Sequence, residues 1–243
     1  MIPEGGVARI FLNRPEKSNA LSSEVLQELL SALEKLNSIQ NLRAVVLAGR
    51  GKAFCGGADV NELKALTADT ASSFVQRIHF ACAAIRALPV PVVASLHGAC
   101  IGAGLEIAAA CDLRIAAEGT KFAMPEVRLG IPSVVEAALL PRLMGAGRAA
   151  WLVLTGEAID ARRACDWGLV EEVCPEAGRE ARVARLLEGL LAGDPRALRM
   201  QKQLLQLWQE APLADSVARS LGLFAQAYEG GNTISSGMRS KKD

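Results

Sequence analysis

From Ala87 to Cys111 the chain carries one charged side chain, Glu106, inside the stretch GAGLEIAAACD at 102–112. A carboxylate in apolar surroundings needs a cation, a helix end or a retained proton, because burying its charge unpaired costs several kcal/mol. Two readings follow. Glu106 is a first-turn glutamate favoured by the helix dipole, with Gly102 and Gly104 as turn residues, or it is an acid or base whose pKa burial has raised. Small residues just before a helix let a substrate approach the N–H groups at its positive end, where an oxyanion could be held. The stretch AFCGGAD repeats this anatomy, with Gly56, Gly57 and Ala58 ahead of Asp59, a candidate helix cap. A second carboxylate, Glu126 in MPEVRLGIP, reads as a solvated loop residue with Arg128 as a local partner, or as the other half of an acid–base pair,.

Other chemistries fit less well. Gly102 and Gly104 begin a dinucleotide fingerprint, but Ile107 stands where its third glycine belongs,. Ser95 and His97, two apart on a strand, do not make a triad, and His97 reads as a hydrogen-bonded core histidine. The six cysteines have no CxxC pairing and the two histidines no ligand spacing, so no metal site is expected,. Small apolar neighbours make Cys82, Cys100 and Cys111 buried, reduced thiols, as in an intracellular protein. Trp151, Trp167 and Trp208 are read as packing residues.

These groups need a frame to hold them. With 243 residues, 51% of them hydrophobic and 22% charged, the chain can bury a large core,. Its net charge of +1 is scattered, which argues against a nucleic-acid or membrane partner,. No apolar run has membrane-spanning length. VARIFL, RAVVLAG, VPVVASLHG, DLRIAA and TKFAM read as strands. A helix with a leucine stripe starts at Ser22, another buries Phe74, Val75, Ile78, Cys82 and Ile85, and GLEIAAAC is a nearly all-apolar central helix. Strands alternating with helices predict an α/β domain. Beyond about Asp160 the pattern is mostly helical, with a hinge at Ala192–Pro195.

With both loops and both glutamates in place, the sequence resembles the enoyl-CoA hydratase/isomerase (crotonase) family, hydratase branch. The matches are NRPEKSNAL at 13–21, GKAFCGGAD at 51–59, PVPVVASLHGACIGAGLEIAAACDLRIAAE at 89–118, FAMPEVRLGIP at 122–132 and LTGEAIDARRACDWGLVEEV at 154–173. The resemblance implies a crotonase-like spiral of ββα units over residues 1–192 and a helical segment over 193–243 that makes oligomer contacts in a homotrimer or homohexamer. It implies an acyl-CoA thioester substrate, with CoA as part of the substrate and no separate cofactor. In family terms the N–H groups of Ala58 and Ala103 form an oxyanion hole and Glu106 and Glu126 are catalytic. Lys17, Ser18, Ala20, Asp59, Val60 and Asn61 fall in segments that contact CoA. The implied reaction is hydration of a 2-enoyl-CoA, with Glu106 ionised as base and Glu126 protonated as acid; isomerisation of the double bond and non-catalytic acyl-CoA binding are the alternatives. The expected compartment is the cytoplasm, or the mitochondrial matrix where a leader has been removed.

The sequence also departs from the family pattern. Ala103 stands for a common glycine, and SVVEAALLPRL at 133–143 replaces a glycine-rich run and introduces Glu136. Glu136 reads as structural, on the polar side of a helix, or as a third active-site carboxylate. The tail SSGMRSKKD lacks a Phe-rich ending.

Overall fold

The computed structural model describes residues 5–229, so the tail at 235–243 lies outside the described residues. The chain opens with β1 (Val7–Leu12), α1 (Ser23–Asn37) and β2 (Ala44–Gly49). The Ser22 hydroxyl starts α1 by accepting the Val25 N–H at 3.3 Å, and Leu26, Leu29, Leu33 and Leu36 form its buried stripe,. Next come α2 (Val60–Ala65), α3 (Ala68–Ala87), β3 (Val92–Leu96), β4 (Ala99–Ile101) and α4 (Ala103–Ala110). These are followed by β5 (Leu113–Ala117) and β6 (Lys121–Ala123). The rest is mostly helical: α5 (Leu140–Met144), α6 (Ala146–Thr155), β7 (Ile159–Asp160), α7 (Ala161–Asp166) and β8 (Glu172–Cys174). Three longer helices close the chain, α8 (Arg179–Leu191), α9 (Pro195–Glu210) and α10 (Leu213–Ala227).

Strands β1, β2, β3, β5 and β8 pair in that order, all parallel. A parallel sheet covered on both faces needs apolar residues at successive positions, which is why AVVLAG and VVASL show no alternation. Val45 and Leu47 point into the larger core with α1, α3 and α4, whereas Ala44, Val46 and Val93 meet Val183 and Leu187 of α8. A second sheet joins β4 to β6 in parallel and β6 to β7 antiparallel.

Helix α4 is buried along its whole length, in keeping with its composition. Buried Arg114 meets its C-terminal end, donating to Cys111 O at 2.7 Å and to Leu169 O at 2.8 Å while pairing with Glu171. A cation there complements the helix dipole. At the other end Gly102 supplies no side-chain cap.

The loop after β1 is clamped beneath the glycine loop by one side chain. Asn19, buried and with φ +56°, accepts the Arg14 N–H at 2.8 Å and donates to Arg50 O and Ala53 O, each at 2.8 Å. Asparagine tolerates this left-handed backbone better than most residues. On the far side, Lys202 of α9 reaches Val90 O at 2.9 Å and Asp112 at 2.8 Å. Helix α10 leaves Leu213, Val217, Leu221 and Phe224 exposed. No helix among the described residues is long and apolar enough to cross a membrane. Asn19→Ala removes three hydrogen bonds made by a buried side chain, so it is expected to destabilise the fold by about 2–4 kcal/mol in urea denaturation,.

Candidate active site

Backbone pairing brings the two small-residue loops together. Cys55 pairs with Cys100 and Leu21 with Ala58; the Cys55 N–H donates to Ala99 O at 2.9 Å and the Ile101 N–H to Cys55 O at 3.0 Å. Gly57, at φ +103°, lies so near the start of α4 that a Cβ on it would sit 3.0 Å from Ile101 O and 3.9 Å from Ala103 N. Neither the Ala58 N–H nor the Ala103 N–H donates to a backbone carbonyl among the described residues. Both alanines line a cavity of about 450 Å³, walled largely by apolar side chains such as Leu63, Phe74, Ile78, Leu129, Ile131 and Val135.

Glu106 and Glu126 line this same cavity. Glu106 is 4% exposed and accepts the Ala137 N–H at 2.9 Å. Burial pushes its carboxyl up to about 8, with the charges of Glu126 and Glu136 adding to the rise and the Ala137 N–H opposing it,. Glu126 accepts from the Ser133 hydroxyl at 2.9 Å and is partly buried, unlike a solvated loop glutamate. A Cβ at Gly102 would fall 2.4 Å from Glu126 Oε1, and φ there is +52°, so only glycine fits,. Arg128, the local partner expected for Glu126, instead donates to Thr155 O at 2.8 Å.

The reading of Glu136 as a residue on the polar side of a helix is corrected. It sits in the 3-10 turn Val135–Leu139, is 5% exposed, and lies 2.9 Å from His79 Nδ1 of α3. Its inward direction depends on Val135 holding φ +43°, which no period in the sequence reveals.

The remaining candidates divide. Val60 lines the cavity. Lys17 and Ser18 are exposed on the adjoining loop, where Ser18 O accepts the Gly56 N–H at 2.8 Å, and Ala20 follows on the same loop. Asn61 is exposed in the first turn of α2. The Asp59 carboxylate caps α2 through the N–H groups of Asn61 and Glu62 and pairs with Arg14, which holds it below its ordinary value. Asn19 and Ser133 were not singled out from the sequence; the left-handed tolerance of asparagine was the available signal for the first, and nothing local marks the second. Ser95 and His97 diverge, the serine bonding to Arg179 at 2.7 Å and the histidine to Gly51 O at 3.0 Å. Burial pushes the Cys55 thiol up to about 12, which leaves it unreactive,. Among the described residues no group of three His, Cys, Asp or Glu is arranged to hold a metal ion.

The enoyl-CoA hydratase/isomerase family model matches residues 3–240. The chain belongs to this family. YngF of Bacillus subtilis (strain 168), provisionally named an enoyl-CoA hydratase/isomerase, is 39% identical over 225 residues, covering 92% of this chain and 85% of its own. The enoyl-CoA isomerase/hydratase fer4 of Mycosarcoma maydis is 34% identical, with 92% and 84% covered. The crystal structure of an enoyl-CoA hydratase from Mycobacterium smegmatis superposes with a TM-score of 0.91 at 31% identity, covering 94% of this chain and 89% of that one. The fold is thus crotonase-like, as the motifs implied.

In this enoyl-CoA hydratase/isomerase family member, burial favours the protonated form of Glu106,. With a carboxyl at about 8, Glu106 holds its proton at neutral pH in the ligand-free cavity. The stability linked to that proton is fully present below the ordinary value of 4.5 and is lost as pH rises through about 8,. Glu106→Gln stays neutral and keeps an oxygen for the Ala137 N–H. Relative to wild type it is therefore expected to be more stable at about pH 9 than at about pH 5, by on the order of 3 kcal/mol. Denaturant titrations at both pH values measure this; an equal difference at the two would place the proton elsewhere.

Proposed function

We propose that the protein adds water across the 2,3 double bond of a 2-enoyl-CoA thioester to give a 3-hydroxyacyl-CoA. The observation that carries this reading is the placement of Glu106 and Glu126 on one apolar cavity beside two N–H groups that donate to no backbone carbonyl among the described residues. Water attacking C3 pushes electrons through C2 onto the thioester oxygen. The Ala58 and Ala103 N–H groups receive that charge, each fixed donor being worth about 10²- to 10³-fold in rate. One carboxyl of the pair takes a proton from the water and the other delivers one to C2, so protons and electrons balance without a redox partner. Burial raises the Glu106 carboxyl, so Glu106 carries its proton at neutral pH before substrate binds,.

The rest of the substrate follows from the surroundings. Leu63, Phe74, Ile78 and Ile131 offer an apolar wall to the acyl chain. CoA is part of the substrate and lies against the Lys17, Ser18 and Ala20 loop and the Val60 and Asn61 turn, with Asp59 acting through the helix start it caps. The exposed apolar face of α10 supports assembly with further copies of this chain into a trimer or hexamer,. Light scattering is expected to return three or six chain masses, and a monomer would reject that assembly.

Glu106→Gln and Glu126→Gln are each expected to lower turnover at least about a hundredfold with the fold intact. Near-wild-type turnover in either variant removes that residue from the mechanism. Loss of the conjugated-thioester absorbance should match 3-hydroxyacyl-CoA formed, mole for mole. Loss without hydroxylated product would make the enzyme an isomerase, in which a carboxyl moves a proton between C2 and C4. Tight CoA binding with no turnover would make it a non-catalytic binder.

A further inference from the structure

Glu136 is buried without being needed by the core. Its side chain is 6% exposed; Oε1 meets His79 Nδ1 at 2.9 Å, and Oε2 has no hydrogen-bond partner among the described residues. An unpaired buried carboxylate oxygen is destabilising, so an alanine or leucine would serve packing better. The titratable groups facing Glu136 are His79 and Cys82 of α3 and Glu106 of α4, and those facing Glu106 are Glu126, Glu136 and Cys82. Burial drives the Cys82 thiol well up, and the charges of Glu136 and Glu106 drive it further, so it adds no charge of its own. The His79 side chain is 50% exposed, so the pair reaches the surface on that side.

The turn that carries Glu136 also carries the one hydrogen bond to the Glu106 side chain among the described residues. The Ala137 N–H, the next residue along, donates to Glu106 Oε1 at 2.9 Å. The turn thus acts on Glu106 through two consecutive residues, Ala137 by a hydrogen bond and Glu136 by its charge.

We propose that Glu136, anchored by His79, is a positioning residue for Glu106: the His79 contact pins the Val135–Leu139 turn, which fixes one Glu106 oxygen through the Ala137 N–H and brings a second carboxyl group to its side of the cavity. The proposal rests on the reading of Glu106 as a proton carrier. Removing the charge of Glu136 releases that proton more readily.

The test follows the Glu106 titration in the full chain without substrate, by infrared difference spectroscopy of its carboxylic-acid C=O stretch, assigned by its loss in Glu106→Gln. Glu136→Gln is expected to move the midpoint down by about one pH unit, and the descending limb of kcat/KM should move with it while KM holds. His79→Lys, a permanent cation on a half-exposed side chain, is expected to shift the midpoint in the same direction and decides the matter if Glu136→Gln does not fold. A midpoint unchanged in the folded variants overturns the proposal. Should Glu106→Gln retain full turnover, the hydratase reading fails while the infrared shift still reports on the coupling.

Discussion

A carboxyl group inside an apolar cavity persists only if its charge is compensated or its proton retained, and the site is organised around the second solution. Among the described residues no cation pairs with Glu106; the Ala137 N–H and the charges of Glu126 and Glu136 are its electrostatic surroundings. Helix α4 makes this arrangement stable. It is apolar on every side, so it packs centrally, and its C-terminal carbonyls are met by Arg114 rather than left unpaired,. Its N-terminal N–H groups are thereby left to face the cavity, which is where an anion developing on a substrate would be held.

Position at that N-terminus is set by backbone rather than by side chains. The Cys55–Cys100 pairing and the Asn19 clamp tie three segments distant in sequence into one platform. Glycines occur where a Cβ would strike another group, as at Gly57 and Gly102, and alanines where an N–H is presented. Ala103 in place of the family's common glycine keeps the donor and adds a methyl group to the cavity wall. Such a surface can polarise a carbonyl without bringing a side-chain acid or base of its own, so acid–base work falls to the glutamates.

Much of this was legible in the sequence because it depends on composition over short distances. The lone charge at Glu106, the two glycine loops, the doubly covered strands and the leucine stripe of α1 all follow from local pattern, and the fold agrees with them. What stayed hidden depends on contacts across the chain. Arg128 stands two residues from Glu126 yet bonds to Thr155, while the group that does hold Glu126 is Ser133. Glu106 reads as an ionised base in the sequence, whereas its burial depth, which sequence cannot measure, favours the proton,. Glu136 looked like a surface residue because its inward aim requires a backbone angle rare for its neighbour.

That neighbour shows how the turn was built. Valine at φ +43° is a genuine outlier for a β-branched residue and costs on the order of 1–3 kcal/mol,. Glycine, which the family commonly places in this run, would adopt the angle without strain. Glycine would also leave a gap in the cavity wall that Val135 fills and would loosen the two residues that follow,. Three consecutive positions thus have three distinct duties: Val135 closes the apolar wall, Glu136 turns inward to His79, and Ala137 directs its N–H at Glu106. A strained but rigid turn meets all three together, whereas a flexible one would let the carboxyls drift apart and the Glu106 proton escape to water.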